Sequence, residues 1–164
     1  MESADPGIVN GASTTAALAR VEPRCESPIP AMREPPRLHE YELDGGWTVL
    51  VGRTDQDNDR LSIKLARPND WWFHVRGHPG SHVVLRVDDD EPTKSVLEAA
   101  AAIAAWHSRL RDGGMVAVSA TRARFVTKPK GAKPGTVQIK KEQVLKVRPS
   151  VEHARLRPSG DARP

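Results

Sequence analysis

One stretch of this chain has the spacing of a long helix, and it limits the folds open to the rest. In "EPTKSVLEAAAAIAAWHSRLRDGG", Glu91 to Gly114, the residues Val96, Leu97, Ala100, Ile103, Ala104 and Leu110 recur at three- and four-residue intervals. Pro92 stands near its start and Gly113-Gly114 forms its stop. An alanine-rich face of this kind permits close approach to a sheet. The flanking sequence supplies the strands. "YELDGGWTVLVGR" reads as a hairpin turning at Asp44-Gly45-Gly46, and "DWWFHV" and "SHVVLRV" read as a second pair separated by "RGHPG". "MVAVSATRARFV", "GTVQIKK" and "EQVLKVRP" add three more candidates. Between the two hairpins, "DQDNDRLSIKLARP" predicts a short helix capped by Asp57 or Asn58, with Leu61 and Leu65 on one face and an end before Pro68. The expected class is α+β: a mixed or antiparallel sheet built from hairpins, with one long and one short helix.

The ends of the chain differ from its middle. Residues 1–37 hold six prolines and no sustained period, which predicts a disordered or flexible leader. Residues 150–164 are polar and proline-containing, a flexible tail by the same reasoning, so the domain is placed at 38–149. The single cysteine, Cys25, can form no internal disulfide and complete no multi-cysteine metal site. No secretory signal and no run of about 18 apolar residues is present, which fits a soluble cytoplasmic protein without a membrane partner.

Charge is unevenly distributed. From Arg122 to Arg148 nine cations face the single acid Glu142, a net +8, while the whole chain carries +4. The remainder therefore sums to −4, and a fold that keeps this segregation presents a basic face suited to phosphates. Within it, "KPKGAKPG" (Lys128 to Gly135) combines prolines that stiffen the backbone with Gly131 and Gly135, which allow turns, so that Lys128, Lys130 and Lys133 project from a loop of limited entropy. The competing reading is a solvated charged segment.

"NDWWFHVRGHPGSHVVLR" is the second constellation. His74, His78 and His82 follow one another at four-residue spacing, but Pro79-Gly80 breaks any helix through them. With no cysteine and no obvious carboxylate as third ligand, neither a metal nor a cofactor is assigned. Ser81 next to His82 on a strand points to the opposite face, which argues against a nucleophile and base pair there. Trp71 and Trp72 also alternate, so one belongs to the core and the other is a candidate stacking platform for unpaired bases; Trp72 is taken as the RNA contact.

These segments together resemble the NFACT RNA-binding domain, the carboxy-proximal module of ribosome-quality-control proteins related to the fibronectin-binding-protein-A-like family of bacteria. The similarity rests on Leu50 to Arg53, Asn58-Asp59, Lys64 to Ala66, Asp70, Trp72, His74 and Pro79 to Arg86, then "LEAA" at Leu97 to Ala100 and "KPKGAKPG" at Lys128 to Gly135, in order across residues 41–149. The paired tryptophans and Arg76-Gly77-His78 depart from the pattern. The resemblance implies RNA binding, with tRNA, ribosomal RNA and the 50S subunit as partners of the full-length proteins. Those proteins carry further domains, so the chain reads as a stand-alone version of the module, and alanine tailing is not carried over.

The expected function is RNA binding without chemistry of its own. Lys128, Lys130, Lys133, Arg53, Arg86 and Arg122 would contact phosphates. Asn58, Asp59, Asp70 and His74 would orient the RNA or fix the local loop, or serve as caps and turn residues. His82 is an interior histidine or an RNA contact, and Pro79, Gly80, Gly131 and Gly135 shape the turns. Replacing the three lysines together by alanine is expected to weaken RNA binding strongly and leave the melting temperature nearly unchanged. Two alternatives stand beside this reading: an RNA-processing or modifying enzyme using His74, His82 and Asp70, and a protein-binding adaptor acting through the leader. Oligomeric state is not legible in the sequence.

Overall fold

The structure, a computed structural model, describes residues 36–158. The predicted leader lies outside the described residues apart from its last two positions, and the predicted tail is described as far as residue 158.

Nine strands and two helices follow one another in this span. They are β1 (Leu38–Leu43), β2 (Trp47–Gly52), α1 (Asp55–Asp59), β3 (Trp71–Val75), β4 (Val83–Leu85), α2 (Lys94–Trp106), β5 (Val116–Arg122), β6 (Val126–Thr127), β7 (Gln138–Ile139), β8 (Gln143–Val147) and β9 (Ala154–Arg157). Seven strands form one sheet in the order β8-β5-β3-β4-β2-β1-β9, and β6 and β7 pair separately. Every pairing is antiparallel. The class is α+β, as the patterning implies.

The β1–β2 hairpin pairs Leu43 with Trp47 across Asp44-Gly45-Gly46. Both glycines have positive φ (92° and 84°), a conformation that side-chain-bearing residues rarely adopt. In α2, Thr93 supplies the N-cap by accepting from the Val96 amide, and the helix ends at Trp106, eight residues short of Gly114. There Ser108 takes over, its hydroxyl donating to the Ala105 carbonyl and accepting from the Leu110 amide. A hydroxyl that satisfies the backbone in this way stops a helix before any glycine is reached.

α2 lies on one face of the sheet. Ala100, Ala101, Ala104 and Ala105 are fully buried with Ile103 against Tyr41, Val49, Val51, Phe73, Val75, Val83, Leu85, Val118 and Ala120. Each large apolar side chain buried here contributes about 1.5–3 kcal/mol. The opposite face carries a smaller cluster, in which Leu50, Leu61, Trp72, Val84 and Val126 are joined by the partly buried Leu38, Leu65, Val137 and Ile139. α1, its continuation and the β6–β7 hairpin cover this second face.

Two sequence expectations require correction. The cap of α1 is Thr54, whose hydroxyl accepts from the Asp57 amide at 3.1 Å; Asp57 and Asn58 are buried inside the helix. Beyond Asp59 the helix widens into a π-turn, Arg60–Leu65, closed by the Ala66 amide on the Leu61 carbonyl (2.8 Å), so that Leu61 and Ser62 both face the sheet. The segment after Pro149, expected to be a tail, supplies β9, which pairs with β1 from Leu43↔Ala154 to Glu40↔Arg157. Arg157 reaches Glu40 and Glu42, so cross-strand charge pairing holds a strand that hydrophobic alternation does not mark. Among the described residues no helix is long and apolar enough to cross a membrane.

Candidate nucleic-acid interface

The second face of the sheet is where the motifs converge. Asn58, projecting from α1, accepts the His82 amide on its Oδ1 (3.1 Å), while the Gly52 amide donates to the His82 carbonyl (3.1 Å). A Cβ at residue 52 would sit 2.1 Å from Asn58 Oδ1 and 3.0 Å from its Cα, so Gly52 is required for this close approach. The segments "LVGR", "ND" and "SHVV" thus meet at one point. Asn58 acts on the fold there, with its carbonyl oxygen already occupied.

Beneath it lies a buried polar chain. Trp72 Nε1 donates to Ser62 Oγ (2.8 Å), and Ser62 Oγ lies 2.8 Å from His82 Nδ1. The hydroxyl thus accepts from the indole and shares a second hydrogen bond with His82 Nδ1, so both buried side chains are partnered through Ser62. Burial lowers the His82 pKa to about 4, helped by His74 and opposed by the backbone of Asn58 and by Asp59. The His74 ring stacks on Trp72 (5.9 Å between centroids) and meets His82 edge-on (5.2 Å). Its pKa is also lowered, chiefly by burial. His74 and His82 thus come together on this face, whereas His78 stays exposed on the connecting turn.

Asp59 and the lysine loop form the third layer. The loop is the tip of the β6–β7 hairpin, and Asp59 grips it at both ends: Lys128 Nζ donates to Asp59 Oδ2 and the Gly135 amide to Oδ1 (2.9 Å). Lys128 Nζ also reaches the Lys133 carbonyl (3.2 Å). Within the tip, the Ala132 amide bonds to the Pro129 carbonyl and the Thr136 amide to the Lys133 carbonyl, two turns made possible by positive φ at Gly131 (81°) and Gly135 (84°). Lys130 and Lys133 are exposed, and among the described residues neither ammonium has an ion-pair partner. The hairpin is anchored at its base by Thr121 Oγ1 donating to the Lys140 carbonyl (2.7 Å).

The remaining candidates separate into fold and surface. Asp70 is fully buried; it accepts the Arg67 and Val87 amides (both 2.9 Å) and Arg86 NH1 (2.8 Å). Arg86 also donates to the Leu65 carbonyl, so its guanidinium closes an internal network and is not presented to a ligand. Arg122 donates to the Asn69 carbonyl, pairs with Glu91 and lies 4.5 Å from the Trp71 ring. Trp72 is 2% exposed and offers no face to a base, and Trp71 packs against the helix-side core. Arg53 is exposed and without an ion-pair partner among the described residues. Pro79 is exposed, and Gly80 presses on Ser108, where a Cβ would lie 3.0 Å from the serine Cβ. Arg109, exposed beside Arg53, is a cation that sequence reasoning overlooked, because it falls within a stretch read as helix.

The sequence and the fold have counterparts among known proteins. A family model for the NFACT protein RNA-binding domain matches residues 37–141. The chain is 39% identical over 117 residues to the Rqc2 homolog RqcH of Bacillus subtilis, covering 71% of this chain and 20% of that protein. It is 38% identical over 107 residues to the Rqc2 homolog RqcH of Streptococcus suis, covering 65% and 19%. The chain therefore spans about a fifth of the length of these curated relatives. Among solved structures, the C-terminal part of the fibronectin/fibrinogen-binding protein of Streptococcus suis superposes with a TM-score of 0.66 at 36% identity, over 73% of this chain and 47% of that one. Agreement of sequence, fold and motif order places this chain in the family of NFACT protein RNA-binding domains.

Proposed function

We propose that this module grips a structured RNA of the translation machinery, tRNA or large-subunit ribosomal RNA, in ribosome quality control on the 50S subunit. One observation carries the reading: a hairpin tip clamped at both ends by Asp59 holds Lys130 and Lys133 exposed, with no ion-pair partner for either among the described residues. A loop backbone held this way lowers the ordering cost of meeting a phosphate, and the affinity falls with salt because release of the RNA's condensed counterions gains less as the bulk salt concentration rises. Lys128 belongs to the clamp and supports the tip. His74, His82, Asn58 and Asp70 maintain the surface from below.

The enzyme reading draws less support. Asp70 spends its oxygens on two amides and Arg86, and His82 Nδ1 is occupied by Ser62. The adaptor reading depends on the leader, which lies outside the described residues apart from its last two positions. Crosslinking in living cells, followed by sequencing of the attached RNA, tests the proposal. Recovery of tRNA or large-subunit rRNA that disappears with Lys130→Ala/Lys133→Ala supports it, and recovery of no RNA contradicts it.

A further inference from the structure

A cleft of about 300 Å³ opens where three segments meet: the β2–α1 junction, the turn before β4 and the chain just after α2. Its walls are held by backbone contacts. Gly80 bridges Ser108, the Ser81 amide donates to the His107 carbonyl (3.2 Å), and a Cβ at residue 80 would push these walls apart. Such a cleft exists before any ligand arrives.

Its lining is polar and cationic. Arg53 comes from one wall and Arg109 from another, and among the described residues neither has an ion-pair partner. The acid in the lining is Asp55, whose side chain is packed against Gly135 at the end of the lysine loop, 3.0 Å from where a Cβ on that glycine would lie. His107 is also in the lining, with Nε2 2.8 Å from the Tyr41 hydroxyl and its ring stacked on His39. Two guanidinium forks contributed by different segments of one cleft suit a phosphate, and a volume of this size admits one nucleotide and not a duplex.

We infer that this cleft receives a single unpaired nucleotide of the bound RNA, with its phosphate between Arg53 and Arg109. The inference rests on the proposed RNA-binding role and assigns it a second, structure-selective contact. Asp55 separates the cleft from the hairpin tip, so one strand end leaving a paired region can occupy the cleft while the paired region lies on Lys130 and Lys133.

Fluorescence anisotropy with a blunt RNA duplex and the same duplex bearing a short single-stranded overhang tests this. The wild-type chain is expected to bind the overhang RNA at least fivefold more tightly. Arg109→Ala removes that preference while leaving duplex affinity within about twofold, and Arg109→Lys restores part of it. Lys130→Ala/Lys133→Ala weakens both RNAs alike. Equal wild-type affinity for the two RNAs, or an Arg109→Ala loss shared equally between them, overturns the inference. Binding of neither RNA overturns the RNA-binding proposal instead, and titration with adenosine monophosphate then decides the cleft. Amide shifts centred on Ser81 and Arg109 that Arg109→Ala abolishes uphold a nucleotide site, and their absence refutes it.

Discussion

At the scale of single residues, the side chains with the clearest chemical signature are mostly those that build the surface. Gly52 is the sharpest case, because Asn58 occupies the space a β-carbon would need. Gly52→Ala is expected to cost about 1–3 kcal/mol, enough to lower the melting temperature by several degrees. An unchanged thermal transition would show that Asn58 yields freely. His82 adds a pH dependence. Its folded pKa is about 4 against an ordinary 6.5, so between those values the unfolded chain binds a proton that the folded chain refuses. Stability therefore falls as pH drops below about 6.5 and levels off near 4, a loss of roughly 3 kcal/mol from this group alone. His107, also near 4, acts in the same direction. In thermal melts from pH 7.5 to 4, His82→Gln should start less stable and show a shallower decline; an undiminished slope would remove His82 as a source. The sequence left His82 as either an interior histidine or an RNA contact, and its burial makes it interior. Which tryptophan faces the core was not legible, since both pack on hydrophobic clusters on different sheet faces, Trp72 buried and Trp71 half-buried.

At the scale of elements, the lysine hairpin divides its own cations by role. Lys128 and Asp59 stand 69 residues apart in sequence, and composition cannot reveal that one of three neighbouring lysines is an internal partner. For this reason a triple-lysine variant should lose stability through Lys128, contrary to the sequence expectation that its melting temperature is kept. Lys128→Ala alone should destabilise the chain by about 1–3 kcal/mol, since it strips a partly buried carboxylate of its charged donor. Lys130→Ala/Lys133→Ala should shift the transition by no more than about 1 °C. Matched denaturation curves for the two variants check the division, and equal effects would contradict it. The long helix was the most legible element, because its alanines prescribe close packing on the sheet. Ala104→Leu, at a fully buried contact, should cost about 1–3 kcal/mol by overpacking, readable as a lower urea midpoint with unchanged slope. Its early end at Trp106 was hidden, since a serine hydroxyl does the work expected of the glycines.

At the scale of the whole molecule, segregation of charge links sequence to function. The +8 segment was visible without coordinates, and so were the sheet class and the order of the motifs. The three-layer arrangement was not, because it depends on which face of the sheet each hairpin covers. Once that arrangement is known, the basic segment resolves into cations that hold the fold, such as Arg122, and cations free to meet a polyanion, such as Lys130 and Lys133. The central claim is that these two lysines carry phosphate contacts, and the salt dependence of RNA affinity tests it most directly. Measured between about 50 and 300 mM salt, log affinity against log salt should fall linearly, and Lys130→Ala/Lys133→Ala should flatten that line by about 1.5–2 in slope. A double variant with the wild-type slope and affinity would mean that RNA, if bound, is held elsewhere.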